Sequence, residues 1–264
     1  MDRTPRLALF AFICLLPTTL HSQEGTAPAT QTPSAALFDT LAARYGVAGD
    51  DQVGDDAAYK ARIIELARAL PPNDAVRSAR LDAYRCITVV DGPDATLTRA
   101  EAGLAGRPAQ REPLVRMEYL MCKAYALYNQ GNRSEYIVPV NEVLRLANSE
   151  RHPRLRSGAL NLRSFHELDQ GRYAQALTSL HEQLELDRKR EAPNVALRAE
   201  IMIANTYIEL GLNERAIVVL RAIEREARAA GQPDSLAMVL DKLGQAEERA
   251  GRLDASPHDP RPAR

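Results

Sequence analysis

The chemistry-bearing residues of this 264-residue chain are few: three cysteines, five histidines, and carboxylates spread along its length. His166 and His181 stand 15 residues apart beside Glu167, Glu182 and Glu185, a set that reads as a metal centre only if three or four side chains converge. On amphipathic helices the same residues are expected to face solvent, so no metal ligand is assigned, and the mixed-sign charged run 187–191 reads as a helix end that finishes in solvent. No Gly-rich phosphate loop, HExxH or GxSxG occurs in the sequence. The expectation is therefore a non-catalytic chain, with no catalytic residue and no cofactor.

Cys86 and Cys122 form the candidate disulfide, and with no CxxC pair or adjacent histidine they do not read as a zinc site. Their geometry leaves two outcomes open. They occupy matched positions 36 residues apart in successive helical hairpins, and helix axes pack about 8–10 Å apart, whereas a disulfide needs Cα atoms about 4.4–6.8 Å apart. Equal register thus weighs against a bond, while a shortened first hairpin would slide the helices closer. Unbonded, the two would be small buried hydrophobes.

Lys and Arg number 34 and Asp and Glu 35, giving a net charge of −1. That balance excludes a broad electrostatic footprint for nucleic acid. Hydrophobic residues make up 45 % of the chain, enough for a core, while aromatics are 5 % and tryptophan is absent. Strong helix formers dominate, so an all-α fold is expected.

The N-terminus reads as an export signal over residues 1–22. Arg3 and Arg6 precede an uncharged apolar run from Leu7 to Leu16, stopped by Pro17, with small Ser22 as the expected cleavage position. The run is shorter than the roughly 20 residues a bilayer span requires, so no membrane span is expected once the signal is removed. Residues 23–54 read as a flexible linker with room for a short helix. Export to the periplasm, or secretion, places the cysteines where a bridge is permitted.

The body, residues 55–252, is a repeat. Gly131, Gly171, Gly211 and Gly251 recur every 40 residues. Seven residues before each glycine stands a small residue: Ala124, Ser164, Ala204 and Gly244. Five residues after come Tyr136, Ala176, Ala216 and Ser256, small in three of four. Glycine suits a left-handed helix terminus, and small residues suit close helix contacts. Leu197, Ile201, Ala204, Tyr207 and Ile208 share one helical face, and Ala216, Ile217, Leu220 and Ile223 share one face of the next helix. Each copy reads as helix, glycine turn, helix and return. A less regular copy precedes these, turning at residues 91–93, and a helix over about 56–70 is expected to cap the stack. Such hairpins cannot bury their faces alone and build a superhelix with a concave surface.

Residues 203–216, IANTYIELGLNERA, resemble a tetratricopeptide repeat in the small residue, the tyrosine three later, the glycine and the second-helix alanine. Residues 171–177, GRYAQAL, resemble the turn of the preceding copy. The period of 40 exceeds the family's 34, which longer helices and returns explain. Glu167 departs from the pattern, standing where the family carries tyrosine. The resemblance covers roughly residues 75–252 and implies a solenoid that binds a protein or peptide in a groove lined by first helices. Carried over position by position, the groove candidates are Tyr125, Tyr128, Phe165, Asn205, Ile208 and Glu209. For Tyr125, Phe165 and Ile208, ordinary core or inter-repeat packing is the favoured alternative.

The early cysteine-bearing hairpins, the export signal and residues 160–163 before 171–173 also resemble the periplasmic sensor region of bacterial GGDEF-type diguanylate cyclases. That resemblance implies an alternative, the truncated sensory half of a membrane-bound signalling protein. Residues 253–264 carry three prolines in six positions, too many for a helix, and read as a disordered tail. Leu240 and Leu243 are then either capped or left uncovered, in which case self-association of the last hairpin is a further expectation.

Overall fold

The computed structural model describes residues 35–45, 56–87, 92–147, 151–229 and 233–251. The export signal over 1–22, most of the linker over 23–54 and the tail over 253–264 lie outside the described residues.

Among the described residues the chain is all-α, a solenoid-like stack of antiparallel hairpins. Its helices run α1 (Ala35–Tyr45), α2 (Asp56–Ala69), α3 (Ala75–Ile87), α4 (Pro93–Ala105), α5 (Arg107–Arg111), α6 (Pro113–Asn129), α7 (Ile137–Leu146), α8 (Pro153–Asp169), α9 (Tyr173–Lys189), α10 (Pro193–Glu209), α11 (Asn213–Ala229) and α12 (Pro233–Arg249). From α3 on, each long helix packs on its neighbours in sequence, the short α5 tucking against α6.

The repeat is set at both ends of its first helices. Pro113, Pro153, Pro193 and Pro233 open α6, α8, α10 and α12, each 17 residues long. Proline suits this first position because its missing N–H would lack an intrahelical acceptor anyway. At the other end Gly131, Gly171, Gly211 and Gly251 take φ of +76°, +67°, +72° and +70°. Around Gly171, its own N–H donates to the Leu168 carbonyl (2.9 Å) and the Arg172 N–H to the Glu167 carbonyl (2.8 Å). This Schellman pair satisfies carbonyls the helix end would otherwise orphan. The same pair closes α9 at Glu191, a non-glycine residue held at φ +57°.

Ala124, Ser164 and Ala204 are fully buried, where small side chains let helices approach. Ala176 and Ala216 are buried in the second helices. Tyr136 is the departure: too large for that slot, it stands just ahead of α7, which begins six residues after its glycine instead of two.

Asp187 corrects the reading of the charged run 187–191 as a solvated helix end. It is fully buried, accepting hydrogen bonds from Ser157 Oγ (2.6 Å) and Gln183 Nε2 (3.3 Å) and pairing with Arg190 Nε (3.0 Å). Three donors compensate a charge that burial alone would not tolerate. At α12 the apolar residues divide: Leu243 is buried and Leu240 is exposed.

Within the stretch read as a linker, α1 is docked. Phe38 is fully buried, and Leu41 and Ala42 nearly so, in one core cluster with Leu66, Leu81, Met117 and Met121.

Candidate functional site

Successive first helices touch across hairpins, α3 with α6, α6 with α8 and α10 with α12, whereas no successive second helices pack to that extent among the described residues. The first helices line one side of the stack, its inner face in the sense of the repeat pattern.

A cleft of about 410 Å³ opens on this face at the C-terminal ends of the first helices. It spans three hairpins: Tyr128, Asn129, Gly131 and Arg133 come from α6 and its turn, Phe165, Leu168 and Asp169 from α8, and Met202 from α10. The Tyr128 and Phe165 rings stack at 5.7 Å and 25°. Tyr128 meets Tyr136 edge-on at 5.4 Å, and Tyr136 meets His166 edge-on at 5.8 Å. These offset and edge-on geometries are the ones ring quadrupoles favour. Tyr136 is fully buried behind Tyr128, and burial pushes its hydroxyl up to about 12, so it stays protonated. His166 Nδ1 lies 3.3 Å from the Arg133 carbonyl. At the rim, Arg133 pairs with Asp169 at 2.5 Å, leaving Tyr128, 38 % exposed, as an aromatic surface framed by opposite charges.

The groove residues inferred from the repeat pattern separate. Tyr128 and Phe165 come together in the cleft. Tyr125 is half-buried and packs on the core of the first hairpins. Asn205 is half-buried on α10, one turn beyond Met202. Glu209 is exposed and lies 3.5 Å from Arg249 of α12. Ile208 must be reassigned: at 1 % exposure it packs with Ala204, Ala216, Ile217 and Leu220, so it holds α10 to α11 and presents nothing to a ligand. Sequence reasoning missed Met202 and Tyr136. The signal for Met202 was its place one helical turn before Asn205, and for Tyr136 its bulk where other copies carry small residues.

At the opposite, N-terminal ends of the first helices lies a charged network. Glu118 of α6, 1 % exposed, accepts from Arg80 Nε of α3 at 3.0 and 3.3 Å. Arg80 also reaches Asp39 of α1 (3.1 Å), which Arg77 contacts at 2.6 Å. Arg77 in turn pairs with Asp74 at 2.6 Å. Burial pushes the Glu118 carboxyl up to about 7, against the pull of Arg80 and Arg154.

Cys86 of α3 and Cys122 of α6 are joined by a disulfide with Cα atoms 5.7 Å apart. The argument from equal register fails because interaxial distance overstates the separation of facing residues. Each Cα lies about 2.3 Å off its axis toward the partner, bringing bridging distance within reach. His181 is exposed, and no group of three or more His, Cys, Asp or Glu that could hold a metal occurs among the described residues. No described helix is long and apolar enough to cross a membrane.

No protein-family model matches the chain, and no curated protein matches it.

Proposed function

We propose that this chain is a non-catalytic helical-repeat protein of tetratricopeptide type, exported to the periplasm, whose inner face binds a protein or peptide partner. The observation that carries the reading is the Tyr128–Phe165 stack over a cleft shared by α6, α8 and α10. Three hairpins contribute to one recess, so the recess exists only in the assembled stack and is held by rigid helices. A partly exposed aromatic pair beside a charged rim is the composition of a binding hot spot. Support for export comes from the basic start and the apolar run from Leu7 to Leu16, and the Cys86–Cys122 bridge suits an oxidising compartment.

The test is selection of a displayed peptide library on the folded chain. Enriched peptides should share a motif and lose at least about tenfold in affinity against Tyr128→Ala/Phe165→Ala, with helicity unchanged. Enriched peptides that bind the double variant equally well would place the site elsewhere, and absence of enrichment would remove the reading.

A further inference from the structure

We infer that the Cys86–Cys122 bond is made on the open chain, before α3, α4 and α6 close around it. The chain still folding is then the substrate of an oxidant of the disulfide class, and the folded stack takes no part in thiol exchange. Nothing in this depends on the aromatic cleft or on a partner bound there.

Both sulfurs are sealed. Cys86 is 1 % exposed and Cys122 is fully buried. They share one core cluster with Leu81, Ala100, Met117 and Met121. A further side is closed by α4, whose Thr96 carbonyl oxygen lies 3.4 Å from the Cys86 sulfur and 3.9 Å from that of Cys122. Two polar ties hold α3 on α6 across the same seam, Arg80 to Glu118 and the Tyr119 hydroxyl to Asp82 at 2.9 Å. Tyr119 also lies hard against α4, where a Cβ at Gly103 would stand 2.1 Å from its ring. The bond is thus buried where three helices meet.

Thiol–disulfide exchange needs room that this seam lacks. One cysteine thiolate attacks a sulfur of the oxidant, forming a mixed disulfide and releasing the oxidant's first thiolate. The other cysteine thiolate then attacks the cysteine sulfur of that mixed disulfide, so the Cys86–Cys122 bond forms and the second thiolate leaves. The cysteines lose two electrons and two protons, and the oxidant departs reduced to two thiols. In the intermediate one cysteine carries the whole oxidant, and the sealed core offers no space for it. Reduction passes through the same kind of intermediate in reverse and meets the same wall. Apolar surroundings also hold a thiol away from its reactive thiolate form. Both directions therefore wait for α3 or α4 to leave α6, a local opening of the stack.

The experiment follows the Cys86–Cys122 pair in the full chain by alkylation and peptide mapping, which keeps Cys14 out of the reading. Dithiothreitol should reduce the folded chain about a thousandfold more slowly than the chain in urea. The rate should level off at high reductant, where opening becomes limiting. Reduced chain refolded without oxidant should gain the bond from oxidised glutathione with a similar delay. Tyr119→Phe removes the tie to Asp82 and keeps the ring, so it should speed both reactions of the folded chain severalfold and leave the rates in urea unchanged. A reduced chain without native helicity supports the same order of events, because no folded dithiol then exists to be oxidised. Reduction of the folded chain within about tenfold of its rate in urea would overturn the inference. So would oxidation of the refolded dithiol as fast as the unfolded one, since an oxidant would then reach the sulfurs in the finished stack.

Discussion

Glu118 shows how one buried carboxyl shapes the response to pH. Its folded-state value near 7 lies above the ordinary 4.5, so the folded chain holds a proton there that the unfolded chain has released. The resulting stability is complete below about 4.5 and is lost as pH rises through about 7, amounting to about 3 kcal/mol. Glu118→Gln should therefore flatten the dependence of melting temperature on pH between about 5 and 8 relative to wild type. His152, pushed below its ordinary value by burial, acts in the opposite sense, but it does so in both proteins and cancels in the difference. Equal slopes would refute the assignment. A second prediction concerns backbone handedness. A Cβ at Gly171 would meet nothing within 4 Å, so Gly171→Ala should cost only its left-handed conformation, about 1 kcal/mol. Glu191, with φ +57°, already bears that strain, and Glu191→Gly should stabilise by up to about 1 kcal/mol. Urea melts of the two variants should move in opposite directions.

At the scale of the element, the disulfide couples α3 to α6 across a separation of 36 residues. Cys86→Ala/Cys122→Ala should lower stability by about 3–4 kcal/mol through the freed chain entropy of the unfolded state. Denaturant melts check this, and a reductant should then leave the double variant unchanged. How legible these elements were in the sequence depended on what each position must satisfy. The 40-residue phase was readable because a left-handed turn demands glycine and a close helix contact demands a small side chain, and both demands recur. Tyr128 and Phe165 could be placed on the inner face because the repeat pattern they resemble assigns those positions to the groove. Ile208 could not be separated from them, since a residue facing the groove and one facing the next helix differ by a single step around the axis. Docking of α1 was hidden for another reason. Its stripe is three residues in a short helix, and its partners Arg77, Arg80 and Arg154 lie 38 to 112 residues away. Asp187 was misread because nothing in a run of alternating charges reveals that Ser157 and Gln183 wait to receive one of them.

Taken as a whole, the molecule uses the two ends of its first helices differently. The N-terminal ends carry Arg77, Arg80, Glu118 and Arg154 and hold α1, while the C-terminal ends carry Tyr128, Phe165 and the open cleft. Stacks of this kind are held by nearest neighbours, so they yield to force one hairpin at a time. The bridge between Cys86 and Cys122 changes what such a pull can extract. The chain between them cannot be drawn out, which withholds about 120 Å of contour at about 3.4 Å per residue. Stretched by its ends in an optical trap, the oxidised chain should reach full extension that much shorter than the reduced one. The stack is thus a spring with a fixed stop near its first two hairpins, able to lengthen from its far end while the helices beneath α1 stay tied together.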